Sequence, residues 1–246
     1  MDQLTTAQGR RIAYQQTEGQ GPGVVFLGGF RSDMTGTKAQ YLQDWAIGQG
    51  RAFLRFDYSG HGQSGGRFED GAIGDWAQDA MAVLGLTTGP QILVGSSMGG
   101  WIALLIARAM PDKVAGLVTI AAAPDFTEDS MWDQFGPAQR AKLLATGVIH
   151  LPSDYGTPYP ITRRLIEEGR GQLVLRQPLN LPFPVRMMQG TADRDVDQSV
   201  ALRLLGHATG PDIRLTLVKG ADHRFSTPEC LGLLAASIED VLARVG

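Results

Sequence analysis

Ser97 sits in Gly95-Ser96-Ser97-Met98-Gly99, and two later residues, Asp193 and His223, complete a set able to do nucleophilic chemistry. A serine hydroxyl is a poor nucleophile at neutral pH. It needs a base within hydrogen-bond reach, and the base needs an acid to hold its tautomer. His223 is the candidate base and Asp193 the candidate acid. The chemistry this implies is acyl transfer: attack of Ser97 on a carbonyl, with the oxyanion held by backbone N–H groups. The expected donors are Met98, the residue after the nucleophile, and Phe30, in a loop after an early strand. Substrate-binding side chains are not legible from the sequence.

Gly-x-Ser-x-Gly alone is weak, because it recurs by chance in a chain with 32 glycines. Its surroundings strengthen it. Residues 92–94 read as a buried strand, and residues 101–110 are an almost wholly apolar run of helical length. Strand, sharp turn and buried helix push the Ser97 hydroxyl into the open. On so tight a backbone, a side chain at Gly95 or Gly99 would collide with a neighbouring element. The helix start behind Ser97 aims N–H groups and a positive dipole end at the same spot. Ser96, one place off the motif, reads as structural.

Each partner has rivals. His61 lies in a turn before the nucleophile, His150 in a region without clean strands, and His207 near a helix end. Only His223 follows a late strand. Asp193 follows another through Gly190-Thr191-Ala192-Asp193, with Asp195 and Asp197 close behind as a solvated loop or a helix cap. Asp57 and His61 could form a second acid–base pair, but Gly60-His61-Gly62 reads better as a tight structural turn. Arg31 and Lys38, near the oxyanion loop, are candidates to meet an anionic substrate.

The elements that must position these residues alternate. Residues 3–17 read as two short strands about a Gln8-Gly9 turn. Strands follow at 24–27, 52–56, 92–94, 114–121, 185–189 and 214–218. Helices fall at 37–49, 73–84, 101–110 and about 197–205, and a last one opens with Thr227 as N-cap and Pro228. Such alternation predicts an α/β chain: a mainly parallel eight-stranded sheet with helices on both faces, and chemistry at the C-terminal strand ends. Residues 125–183 break the pattern, with helix-like stretches at about 128–134, 138–146 and 160–170. They read as a small inserted helical cap within one domain spanning 1–246. Met131, Trp132 and Phe135 there could line an apolar acyl site or form ordinary cap core.

Composition bounds the function. The chain has 246 residues, 43% hydrophobic, with a net charge of −3. No basic excess points to nucleic acid, and no apolar stretch reaches membrane-spanning length. Four histidines and one cysteine are scattered without metal-ligand spacing, so no metal is expected. Cys230 reads as a helix or core residue. The first six residues carry neither a basic n-region nor an Arg-rich transit pattern, which leads to a cytoplasmic expectation.

The order Ser, Asp, His along the chain is that of the α/β-hydrolases. With Gly28-Gly29-Phe30 and residues 57–64, these motifs resemble the serine α/β-hydrolase superfamily. Residues 32–39, 55–60 and 90–101, with Gly147-Val148, Leu151-Pro152-Ser153 and Asp222-His223-Arg224, are similar to the mitochondrial abhydrolase-domain palmitoyl-protein thioesterases and acyl-glucuronide esterases and their bacterial relatives. The resemblance implies a cofactor-free hydrolase of acyl esters and thioesters, and its triad falls on Ser97, Asp193 and His223. A peptidase or acyltransferase is the alternative, and a binding protein without catalysis a further one. Dehalogenases and epoxide hydrolases are disfavoured, because they place Asp at the nucleophile position. The expected partner is a small-molecule or acylated substrate.

Overall fold

Strands β1 (Asp2–Thr5) and β2 (Arg11–Thr17) pair antiparallel across a turn in which Gly9 has φ 78°. The structure, a computed structural model, describes residues 1–152 and 158–245. Ser153, within the expected cap, lies outside the described residues. After β2 the chain alternates: β3 (Gln20–Leu27), α1 (Thr37–Gly48), β4 (Arg51–Phe56), α2 (Ile73–Leu84), β5 (Gln91–Ser96), α3 (Met98–Ala109) and β6 (Val114–Ile120).

It then leaves the main sheet. A wide π-type helical segment, Thr127–Trp132, precedes α4 (Pro137–Thr146), a hairpin of β7 (Val148–Leu151) and β8 (Tyr159–Thr162), α5 (Arg163–Gly169) and the short β9 (Leu179–Asn180). The chain returns through β10 (Val185–Gly190), α6 (Gln198–His207), β11 (Ala208–Thr209), β12 (Ile213–Val218) and α7 (Pro228–Leu242). Among the described residues the main sheet has eight strands in the order β1-β2-β4-β3-β5-β6-β10-β12. From β4 to β12 every pairing is parallel, and β1 and β2 form an antiparallel edge. The expected α/β architecture is therefore present.

Strand periodicity sets the layers. Along β3, Val24 and Phe26 enter one apolar cluster while Val25 and Leu27 enter the other. The first cluster takes α1 through Ala39, Leu42 and Ala46, and α7 through Leu234, Ile238 and Val241. The second takes α2 through Ile73, Trp76 and Val83, and the buried α3. Thr227 caps α7, its hydroxyl accepting the Cys230 N–H at 3.3 Å, and Cys230 is buried.

One expectation is corrected outside the main sheet. Residues 160–162 belong to a strand, not to a helix over 160–170. Pro160 lacks the N–H an interior helical turn needs, and Ile161 and Thr162 are β-branched. The helix waits until Arg163, where the Thr162 hydroxyl caps it by accepting from Leu165 N at 3.0 Å. Charge holds the excursion together internally and ties it to α6. Buried Asp125 accepts from Val174 N (2.8 Å), Leu175 N (3.0 Å) and Arg176 Nη1 (2.7 Å). Asp129 bridges Arg176 to Arg203 on α6. A buried carboxylate is tolerable when paired in this way.

Candidate active site

Strand β5 ends at Ser96, and α3 begins at Met98. Ser97 between them has φ 54° and ψ −117°, a strained conformation for a residue with a side chain. Hydrogen bonds on both sides hold it there. Its N–H donates to Ile120 O (2.9 Å), and its carbonyl accepts from Gly100 N (2.9 Å) and Ala123 N (3.1 Å). A methyl group on Gly99 would come within 2.1 Å of Leu27 O, and one on Gly95 within 2.5 Å of Gly99 O. These two positions admit only glycine, for the steric reason the motif implies. The Met98 N–H belongs to the first turn of α3, where no intrahelical acceptor exists. The loop carrying Phe30 passes beside Ser97: a methyl group on Gly29 would lie 3.4 Å from Ser97 Cβ.

His223, after β12, brings Nε2 to 3.1 Å from Ser97 Oγ. Its Nδ1 lies 2.9 Å from Asp193 Oδ2, and Asp193 follows β10. The structure thus brings together the three residues picked from the sequence. Burial would raise the Asp193 pKa, but the bonds from His223 and from the Val196 and Asp195 N–H groups outweigh it and hold the carboxyl below its ordinary value. Asp195 and Asp197 stand apart from this line. Asp195 gives its N–H to Asp193 Oδ1 (2.9 Å), and Asp197 caps α6 by accepting from Ser199 N (2.8 Å). Among the described residues, ligand atoms of Asp193, Asp195 and His223 gather within 4.8 Å of one another, but both His223 ring nitrogens are already engaged by Ser97 and Asp193.

Asp57 and His61 hold loops. Asp57 accepts from Met34 N (2.6 Å) and Gln63 N (2.7 Å). His61 Nε2 accepts from Arg31 N (3.3 Å), and its ring packs edge-on against Tyr58, Phe68 and Trp76. Burial pushes His61 down from 6.5 to about 4, against the pull of Ser59 O and Asp79 and with that of Arg31. The folded pKa lies below the unfolded one, so this contribution to stability is full above pH 6.5 and is lost as pH falls toward 4. At about 1.4 kcal/mol per pKa unit, the loss is about 3 kcal/mol. Urea unfolding of wild type and His61→Gln between pH 7 and 4 is expected to show the steeper decline in wild type. Parallel declines would contradict the assignment.

A cavity of about 430 Å³ opens onto Ser97 and His223, lined by Phe126, Met131, Phe135, Leu151, Val196 and Val200 among others. Met131 and Phe135 line it, and both also pack in the hydrophobic core, Phe135 as a buried member. Trp132 does not line it. Its ring is met by two guanidiniums, with the Arg140 and Arg170 Cζ atoms 4.9 and 4.8 Å from the ring centroid. His150 and His207 do not join the site, and the His207 ring meets Gln177 O at 2.8 Å. Arg31 and Lys38 line a neighbouring cavity that also reaches Ser97. Burial lowers Lys38 to about 8.

Sequence reasoning passed over two residues. Gln189, fully buried at the end of β10, donates from Nε2 to Asp193 Oδ2 (2.9 Å) and Val196 O (3.0 Å). A polar side chain closing an apolar strand was the available signal. Tyr159 lines both cavities beside Ser97, and nothing local in the sequence marks it.

Known proteins resemble this chain in sequence and fold. A family model described as Serine aminopeptidase, S33 matches residues 23–155. The human palmitoyl-protein thioesterase ABHD10, mitochondrial, is 33% identical over 237 residues, covering 95% of this chain and 77% of that protein. The crystal structure of a protein from Agrobacterium vitis S4 superposes with a TM-score of 0.94 at 41% identity, over 98% of this chain and 97% of the other. The α/β hydrolase domain-containing protein 10 from mouse does so with 0.92 at 32% identity, over 100% and 99%. This chain belongs to the α/β-hydrolase superfamily, as a relative of ABHD10.

Proposed function

We propose that this protein is a serine hydrolase that cleaves ester or thioester bonds of acyl substrates through an acyl-enzyme. The observation that carries the proposal is the unbroken line from Ser97 Oγ to His223 Nε2 (3.1 Å) and from His223 Nδ1 to Asp193 Oδ2 (2.9 Å). Ser97 Oγ forms a bond to the carbonyl carbon as its proton passes to His223 Nε2. The oxyanion is met by the Met98 and Phe30 N–H groups, each worth roughly 3–4 kcal/mol of barrier. Collapse breaks the bond to the leaving oxygen or sulfur, which takes the proton from His223. Water, deprotonated by His223, then releases the acid and restores Ser97. Asp193, ionised and gripped by three N–H donors besides His223, holds the Nδ1 tautomer.

The apolar part of the cavity wall, Phe126, Met131, Phe135, Leu151, Val196 and Val200, supports an acyl group as the retained part of the substrate, in keeping with the printed name of the human relative, palmitoyl-protein thioesterase. Residues 125–183 act in this proposal as a cap inserted into one domain spanning 1–246. Among the described residues no helix is long and apolar enough to cross a membrane. Cytoplasmic residence belongs to the proposal, although the human relative is named mitochondrial. Fractionation of the source cells tests it.

The matched family model is described as an aminopeptidase, which keeps a peptidase as the second reading. Short, medium and long acyl p-nitrophenyl esters, the matching acyl thioesters and aminoacyl anilides separate the two. Turnover of long acyl thioesters above anilides is the expected result. Preferential cleavage of the anilides would favour the peptidase, and turnover of short esters alone would confine the substrate to small acyl groups.

A further inference from the structure

Phe30 and Arg31 are the central residues of a turn. The Ser32 N–H donates to Gly29 O at 3.2 Å, and Ser32 Oγ donates to the same oxygen at 2.8 Å. In a trans peptide the N–H points away from the C=O, so holding Gly29 C=O toward Ser32 turns the Phe30 N–H to the opposite side. Arg31 has φ 56°. A positive φ at the third turn residue is the type II arrangement, which favours glycine there. With a side chain at that position, a flip of the central peptide relieves the strain. Phe30 supplies both the flipping carbonyl and the oxyanion N–H, so a turn shared between two orientations holds that donor loosely.

His61 selects the orientation. Its Nε2 accepts the Arg31 N–H at 3.3 Å, and that role places the ring proton on Nδ1, 3.2 Å from Ser59 O. Ser59 is fixed in turn. Its N–H and hydroxyl donate to Asp79 Oδ2 at 2.9 and 2.6 Å, and fully buried Asp79 pairs with Arg10 Nε at 2.6 Å. The Phe30 and His61 rings pack edge-on against the same two partners, Phe68 and Trp76. A flipped peptide would aim Phe30 C=O at the Nε2 lone pair, two acceptors face to face. Resting on the serine-hydrolase reading, we propose that His61 is the positioning residue of the oxyanion hole: through the Arg31 N–H it holds the Gly29–Ser32 turn so that the Phe30 N–H meets the reacting carbonyl.

The test compares two ligands of one chain length. Ser97 Oγ adds to the carbonyl carbon of an alkyl trifluoromethyl ketone, its proton passes to His223, and the ketone oxygen becomes an oxyanion in the hole. The matching trifluoromethyl carbinol fills the same space and forms no oxyanion. His61→Gln keeps an acceptor at the reach of Nε2, His61→Asn is too short, and His61→Phe keeps a ring against Phe68 and Trp76 without an acceptor. The Gln variant is expected to bind the ketone much as wild type does. The Asn and Phe variants are expected to lose roughly tenfold or more in ketone affinity and in kcat/KM, part of what one lost oxyanion donor costs, with carbinol affinity unchanged. Adding Arg31→Gly, which takes a positive φ without strain, is expected to recover most of that loss. Unchanged ketone affinity in the Asn variant, equal losses for ketone and carbinol, a Gln variant as impaired as Asn, or a loss unaltered by Arg31→Gly would each overturn the assignment while leaving the serine mechanism standing. The Asn–Gln comparison decides if the Phe variant does not fold. Failure of wild-type Ser97 to form the hemiketal would overturn both.

Discussion

Ser97→Ala is expected to lower kcat/KM for acyl esters and thioesters by about 10⁴-fold or more while leaving the fold intact. The substitution removes the one oxygen that bonds to the carbonyl carbon. His223 and Asp193 keep their own 2.9 Å contact, so the base survives without a nucleophile to serve. Residual activity would come from the cavity and the backbone donors acting on water. The strained backbone at φ 54° is unaltered by the exchange, and Ser97 is anchored by main-chain bonds to Ile120, Gly100 and Ala123. The urea midpoint should therefore stay close to wild type, so that lost activity reflects lost chemistry. Activity within tenfold of wild type, measured on protein free of contaminating esterase, would contradict the assigned role.

Gly99→Ala is expected to cost more stability than any other substitution considered, above roughly 4 kcal/mol. The added carbon would lie 2.1 Å from Leu27 O and 2.6 Å from Gly28 O, and both obstacles are backbone. No rotamer relieves such a clash, so either α3 must slide or the end of β3 must move. That end carries Gly28-Gly29-Phe30, so whatever folds should also lose turnover. Gly206→Ala is the matched control. It lies in α6 with nothing within 4 Å of the new methyl group, and should stabilise by about 0.5–1 kcal/mol. Equal urea midpoints for the two variants would remove the steric argument for the turn at Ser97.

The architecture was legible wherever a short stretch contains its own cause. The apolar run before Gly95 and the apolar helix after Gly99 define the turn locally. The Thr227-Pro228 pair announces α7 in the same way. Asp193 and His223 could be picked out because each follows directly on a strand, and parallel strands deliver their C-terminal ends to one edge of the sheet. Where the cause lies far along the chain, the sequence was silent or misleading. The pairing of β7 with β8 joins two short, mixed segments, and the nearer signal at 160–170 favoured a helix. For Trp132 the sequence leaves cavity lining and cap core both open, because the two guanidiniums over its ring, Arg140 and Arg170, come from further along the chain. The two cavities that meet at Ser97 draw their walls from several distant segments, and no local pattern discloses that these come together.

The central claim is that Ser97 carries the acyl group in mid-reaction, and covalent capture tests it most directly. Wild-type protein treated with a fluorophosphonate, and separately quenched during turnover of a long acyl thioester, would be examined by intact mass spectrometry and peptide mapping. The expected result is one adduct per chain, localised to Ser97, absent from Ser97→Ala and slowed in His223→Gln. Labelling at another residue, or turnover that continues while Ser97 stays unmodified and dispensable, would contradict the account.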